Sequence, residues 1–410
     1  MKRLITYTLL FIIYFVLHYI EGLPPIGGLS IAQLWKLPLI GYLLACVLST
    51  KRKFNKFEKT GYLYSIEPYF CPAIVTNPFS IVSFSMRQLP IPLFYNFWLR
   101  FNKTMLEKLL LYFSHFICLT SLITLTGIVE PLKEYLSADA FMEDLEYYSS
   151  VFATTHAASS YFCISSTVIV FFLINNKFRT NFEKIYNLFL LAIAIYSLFL
   201  AYVRTGWLML AVSLLLIIDL KKFNFVQKVK TAVALIMIVI GLVFLYNTNE
   251  AFRLRISGGG QYRGESEQVI DTGGSGRSDF WKSGITNWAK NDLYSLFFGK
   301  GLDAVLDDNH KATGMRVFSH SLIIDSLAQY GIISLVLLIT LFIQINKFIK
   351  RYGRGSPYQR LSRAIFYAGM IFCAFQSQMQ FDYIIIFTIS LVLMYKTGNR
   401  YNNLMNTKPV

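Results

Sequence analysis

Residues 319–335 read "SHSLIIDSLAQYGIISL", where a polar loop turns into one of the last long apolar runs of a 410-residue chain. The continuation of this run decides the fold. After Gly331 the stretch 332–345 enters an apolar environment, and runs close to the roughly 20 residues needed to cross a bilayer recur along the chain. Hydrophobic residues make up 55% of the sequence and aromatic residues 16%, while charged residues make up only 15%; an ordinary soluble domain carries about 25% charged residues. With a mean hydropathy of +0.47, the chain has too little polar surface to cover a water-soluble globule of this size. It reads as an all-α polytopic integral membrane protein.

The net charge of +16 raises nucleic acid as a partner, and the placement of the charge argues against it. The segments 1–3, 51–60, 100–108, 175–184, 221–230, 346–363 and 396–410 hold 26 of the 39 Lys and Arg residues. They fall on alternate connections between the apolar runs, which is the positive-inside pattern. The basic charge therefore reports topology and anionic headgroups. Spans are expected at 4–20, 31–48, 62–78, 81–99, 109–128, 151–174, 185–203, 205–220, 231–247, 319–345, 364–380 and 383–396, about twelve crossings with both termini cytoplasmic. Residues 1–246 then hold helices one to nine, 247–318 form a large outer, periplasmic loop, and 319–410 hold the last three helices. The first span follows Met-Lys-Arg without a small-residue cleavage site and reads as retained. The pair 62–99 carries Pro68, Pro72, Pro78, Pro90 and Pro92, so a pair of broken helices or a re-entrant hairpin is expected there. The loop 130–150 is acidic, and the five cysteines show no metal or disulfide spacing and read as buried thiols. Within 247–318, short helices are expected from Trp281 to Ala289 and near Leu302.

Three residues stand out chemically. A helix starting at Ser319 would put His320 on the face of Ile323, Ile324 and Leu327, opposite Ser321, Asp325 and Gln329. The histidine would then point into the bundle at a helix N-terminus, neutral and able to accept a proton; a buried histidine bonded to one carbonyl is the bland alternative. In "AYVRTGWLML" (201–210), Arg204 lies at a tight turn around Thr205–Gly206, on the side where arginine is scarce. It is either an interface anchor beside Trp207 or a fixed cation above a cavity. In "GGSGRSDFW" (273–281), glycines precede Arg277 in a possible anion-binding turn. Glu67, Arg87, His115, His156, Asp325 and Asp382 read first as helix-pairing or interface residues. "LDDNH" (306–310) is a poor metal box in a soft loop, no cofactor motif is present, and no metal site is expected.

Taken together, the span pattern, the Arg at an outer turn, the Gly/Ser-Arg loop, the Gly-x-Gly of "LFFGKGLDAV" (296–305) and "SHSLIIDSLAQYGIIS" resemble the O-antigen polymerase and O-antigen ligase superfamily. The similarity is strongest from about Tyr202 to Leu335, and Ser321 stands where the family usually has Asn. The resemblance implies metal-independent, inverting glycosyl transfer from an undecaprenyl-diphosphate-linked oligosaccharide at the periplasmic face of the bacterial inner membrane. It implies Arg204 and Arg277 on the diphosphate and His320 as the base. The implied partners are that lipid-linked oligosaccharide and membrane lipids, with a chain-length regulator protein as a further candidate. The Pro-rich N-terminal half with "IAQLWKLPLI" looks more like the polymerases, which join repeat units, than the ligases, which transfer to lipid A–core. A lipid-linked oligosaccharide flippase is the alternative of another class; it would need two related halves and short loops, and no internal repeat is visible.

Overall fold

The computed structural model describes residues 2–23, 31–132, 148–201, 203–218, 277–314 and 316–398, with a few residues between 243 and 270. The expected span 231–247, most of the acidic loop and the glycines at 273–276 lie largely or wholly outside the described residues. The chain is helical; the strands among the described residues are the antiparallel pair Tyr262–Arg263 and Val269–Ile270. Among the described residues, four helices are long and apolar enough to cross a membrane: α6 (Lys103–Leu125), α7 (Thr155–Ile174), α8 (Asn181–Leu200) and α13 (Leu322–Tyr352). Three shorter apolar stretches join them, at Ile5–Ile20 in α1 (Lys2–Ile20), at Leu34–Leu48 in α2 (Ile31–Leu48), and in α9 (Arg204–Ile217).

Local chemistry sets the helix ends. Asn102, Thr154 and Thr180 each cap a helix by accepting a backbone N–H, and Glu183 completes a capping box with Thr180; such caps satisfy donors that a membrane-facing helix end would otherwise leave bare. α7 is the buried centre. Its run of Ala158, Ser159, Ser160, Ser165 and Ser166 is fully buried, as expected where small residues let helices approach closely. α9 packs most extensively on α14 (Gln359–Phe375), and α15 (Phe381–Thr397) is almost wholly enclosed. The outer sides of α1 and α8 instead expose Ile5, Leu9, Phe182 and Ile185, apolar surface suited to lipid.

The proline-rich pair breaks up as the sequence indicates. α3 (Lys56–Ile66) leads into two short 3-10 turns, Glu67–Phe70 and Pro72–Ile74, then α4 (Pro78–Gln88) and α5 (Pro90–Trp98). Each element after α3 starts at or beside a proline, whose missing N–H is harmless at a helix start. Inside 247–318, the expected helices appear as α10 (Arg277–Ala289) and α12 (Leu302–Thr313), with α11 (Leu293–Phe298) between them. These three pack on the first half of α13. "LDDNH" therefore belongs to a helix rather than a soft loop, and Asp303 and Asp307 pair with Arg316 at 3.6 and 2.9 Å. All five cysteines are buried and free.

Candidate active site

The site is organised by a break in α13. Gly331 adopts φ 81° and ψ −175°, which interrupts the helix one turn past its first polar residues. The interruption frees the Gln329 carbonyl, and the Gly301 N–H takes it at 2.8 Å. Gly299, at φ +71°, lies so close that a Cβ would stand 2.1 Å from that same carbonyl oxygen. A Cβ on Gly331 would stand 2.3 Å from the Phe297 carbonyl oxygen. Only glycine tolerates both the backbone conformation and the contact. The Gly-x-Gly segment is thus the clamp that seats α11 and α12 on the break.

About two and a half turns before the break, the helix begins at Leu322, with Ser321 as its cap accepting the Ile324 N–H at 3.5 Å. This corrects the expected start at Ser319. His320 precedes the helix and is held at φ 52°, left-handed for a residue with a side chain; such a conformation costs about 1–3 kcal/mol and persists only where neighbours over-determine it. They do so here. The Trp281 indole N–H donates to the Ser319 carbonyl at 2.8 Å, the Ser319 N–H donates to Asp325 Oδ1 at 3.2 Å, and the Leu322 N–H donates to the Gln376 carbonyl at 2.9 Å. The expected facing holds only in part: Leu327 is buried as expected, but Asp325 is 1% exposed, Gln329 and Ser326 are buried, and Ile323 is 36% exposed. The polar face turns inward because partners wait there: the Tyr64 hydroxyl meets Ser326 at 2.7 Å. The imidazole is half-buried, its centroid 6.4 Å from that of Phe280. Burial first, and the Arg277 guanidinium second, push its pKa down from 6.5 to about 4. At neutral pH it is an uncharged ring with a free lone pair to offer.

Arg277, in the described start of α10, lies near enough to His320 for its charge to act on the imidazole. Arg204 is residue one of α9 and exposed, and Thr205 and Gly206 are already helical, which corrects the expected turn. Among the described residues, no hydrogen bond or ring contact joins Arg204 to His320. Arg204 opens its helix, where the backbone already presents positive charge and an anion, not a cation, is favoured, a feature that the sequence did not reveal. A guanidinium added to a helix N-terminus makes a strong anion-attracting end.

The remaining candidates divide. Asp382 accepts from the Tyr14 hydroxyl and lies 3.0 Å from His18 Nε2, joining α1 to α15; His18 carried no signal in the sequence. His115 bridges Tyr7 and Asn187, and His156 meets Gln376 at 3.0 Å. These are helix-pairing contacts. Among the described residues, no cluster of three or more His, Cys, Asp or Glu is placed to hold a metal.

Fold and site define a helical membrane protein with a neutral histidine and a nearby arginine just ahead of a broken helix. A family model described as O-Antigen ligase matches residues 189–339. That segment contains Arg204, Arg277, His320 and the glycine clamp, and the match supports the O-antigen polymerase and ligase superfamily for this chain. No curated protein matches the chain.

Proposed function

We propose that this protein is an O-antigen polymerase: a metal-independent, inverting glycosyltransferase that joins undecaprenyl-diphosphate-linked repeat units on the periplasmic side of the bacterial inner membrane, with both termini in the cytoplasm. The observation that carries the reading is His320, held left-handed and neutral beside Arg277. In the reaction, an acceptor sugar hydroxyl oxygen attacks the anomeric carbon of the donor. Its proton passes to a ring nitrogen of His320, and the anomeric C–O bond breaks with its electron pair going to the diphosphate. Arg277 and Arg204 stabilise the charge that develops there. The diphosphate is already a good leaving group, so no general acid is required.

The electrostatics also give the base its timing. Arg277 is one of the two causes of the low imidazole pKa. A diphosphate bound at Arg277 offsets that positive charge, so the imidazole becomes a stronger base once the donor is in place.

The matched family description favours a second reading, an O-antigen ligase transferring the finished chain to lipid A–core. A deletion strain separates the two. Loss of polymerase leaves lipid A–core with at most one repeat unit, and loss of ligase leaves long chains on the lipid carrier. An unchanged surface polysaccharide would reject both.

A further inference from the structure

Asp325 is a buried acid to which the proposed mechanism gives no role. It stands in the first turn of α13 and is 1% exposed. Its Oδ1 reaches back six residues to accept the Ser319 N–H at 3.2 Å. Its Oδ2 is buried without a hydrogen bond among the described residues. Counted from the helix start, Ser321 is the cap, His320 the residue before it, and Asp325 the fourth helical residue.

Two side chains therefore bond the backbone on either side of the histidine. Ser321 accepts forward, from the Ile324 N–H, and Asp325 accepts backward, from the Ser319 N–H. The first fixes the chain after His320 and the second fixes the chain before it. Asp325 is itself well placed for this, since its own N–H donates to the Ser321 carbonyl at 2.8 Å. A helix N-terminus also favours an acid in its first turn. The rotation of the helix is set next door, where Ser326 meets the Tyr64 hydroxyl at 2.7 Å. From the other side α10 closes in: a Cβ on Gly284 would stand 3.0 Å from Ile324 Cγ2 and 3.5 Å from Ser319 Oγ.

His320 at φ 52° keeps its strained backbone only while both flanks are held. The carboxylate charge is not what acts on the ring, because burial and Arg277 are the two causes that set the imidazole. What Asp325 supplies is an acceptor oxygen at a fixed place. We infer that Asp325 is a positioning residue of this site: by accepting the Ser319 N–H, it fixes the left-handed turn that aims the His320 imidazole at the acceptor hydroxyl. The inference rests on the proposed glycosyl-transfer reading and adds to it the residue that holds the base in line.

The detergent-purified full chain is assayed with the lipid-linked saccharide extracted from a deletion strain. Asp325→Asn keeps an oxygen at the Oδ1 position and should keep most of kcat. Asp325→Leu removes the acceptor and should lower kcat about 100-fold, the cost of a small misplacement of a reacting group, with the donor KM unchanged. Its acid limb should also move up from near pH 4 towards 6.5, as the imidazole loses its buried setting. Asp325→Ala takes the place of Leu if that variant does not accumulate. Hydrogen–deuterium exchange of the 316–322 amides reads the brace without any donor: it should quicken in Leu and not in Asn. Wild-type kcat in Asp325→Leu, or Asp325→Asn as poor as Leu, overturns the inference and leaves the proposed function standing. Unchanged exchange in Leu also overturns it, because the bond then does not hold the loop. Failure of the unaltered chain to transfer rejects the proposed function, and this role with it, whatever the exchange shows.

Discussion

Gly299 and Gln329 meet backbone to backbone, with no room for a Cβ between them: one built on Gly299 would stand 2.1 Å from the Gln329 carbonyl oxygen. The contact joins the helices of the 277–313 region to α13 where Gly331 breaks it. Gly299→Ala and Gly331→Ala should each unseat that region, since both add strain at positive φ as well as a clash. We expect transfer to fall at least tenfold while membrane insertion persists. Limited proteolysis of membranes should then cut between 290 and 315 faster than in the wild type; unchanged cleavage would refute the clamp.

Much of this region was legible as residues and not as geometry. The five prolines of 62–99 foretell a broken pair because proline acts locally. The start of α13 is different: Ser319 and Ser321 are equally good caps on paper. Bonds from Trp281 and Gln376 select Ser321, and neither partner is near in sequence. The inward polar face of α13 was misread for the same reason, because Tyr64 lies 262 residues from Ser326. Arg204 was visible as a sparse outer cation; its position as the first residue of α9 was not.

Ser321 caps α13 by its side chain, so the change from the family's usual Asn keeps the physical role. Ser321→Asn should leave stability and transfer close to wild type. Ser321→Ala should cost about 1 kcal/mol, read as a lower melting temperature of the detergent-purified protein. Equal stability of all three would remove the capping role.

The charge pattern sets a topological expectation. Reporter fusions at Gly259 and at the C-terminus should report opposite sides of the membrane, periplasmic and cytoplasmic. The same side for both would overturn the twelve-span arrangement and the periplasmic site.

His320→Ala should lower transfer about 10²–10⁴-fold, the usual worth of a general base, at matched protein levels in a complemented deletion strain. His310→Ala, exposed near the end of α12, should give near-normal polymer. Arg204→Lys should also be poor, because an ammonium cannot reproduce a forked contact to a diphosphate. Near-normal polymer from His320→Ala would reduce the histidine to a loop-closing residue.

The pH dependence distinguishes a base from a loop-closing residue more sharply. With the His320 pKa at about 4 against an ordinary 6.5, the unfolded chain takes up this proton first as pH falls. The contribution of His320 to stability therefore declines as pH drops from 6.5 towards 4. For catalysis the neutral ring is required, so kcat/KM, which reports the free enzyme, should be flat near neutrality and fall on an acid limb near pH 4. Arg277→Gln removes one of the two causes of the low value, so the limb of its residual activity should move up in pH. In the wild type, the bound diphosphate offsets Arg277, so the acid limb of kcat should lie above that of kcat/KM. Measuring transfer from a synthetic lipid-linked donor between pH 3.5 and 8 tests all three limbs. Coincident limbs in the wild type, together with an unmoved limb in Arg277→Gln, would separate the arginine from the base and undo the proposed timing.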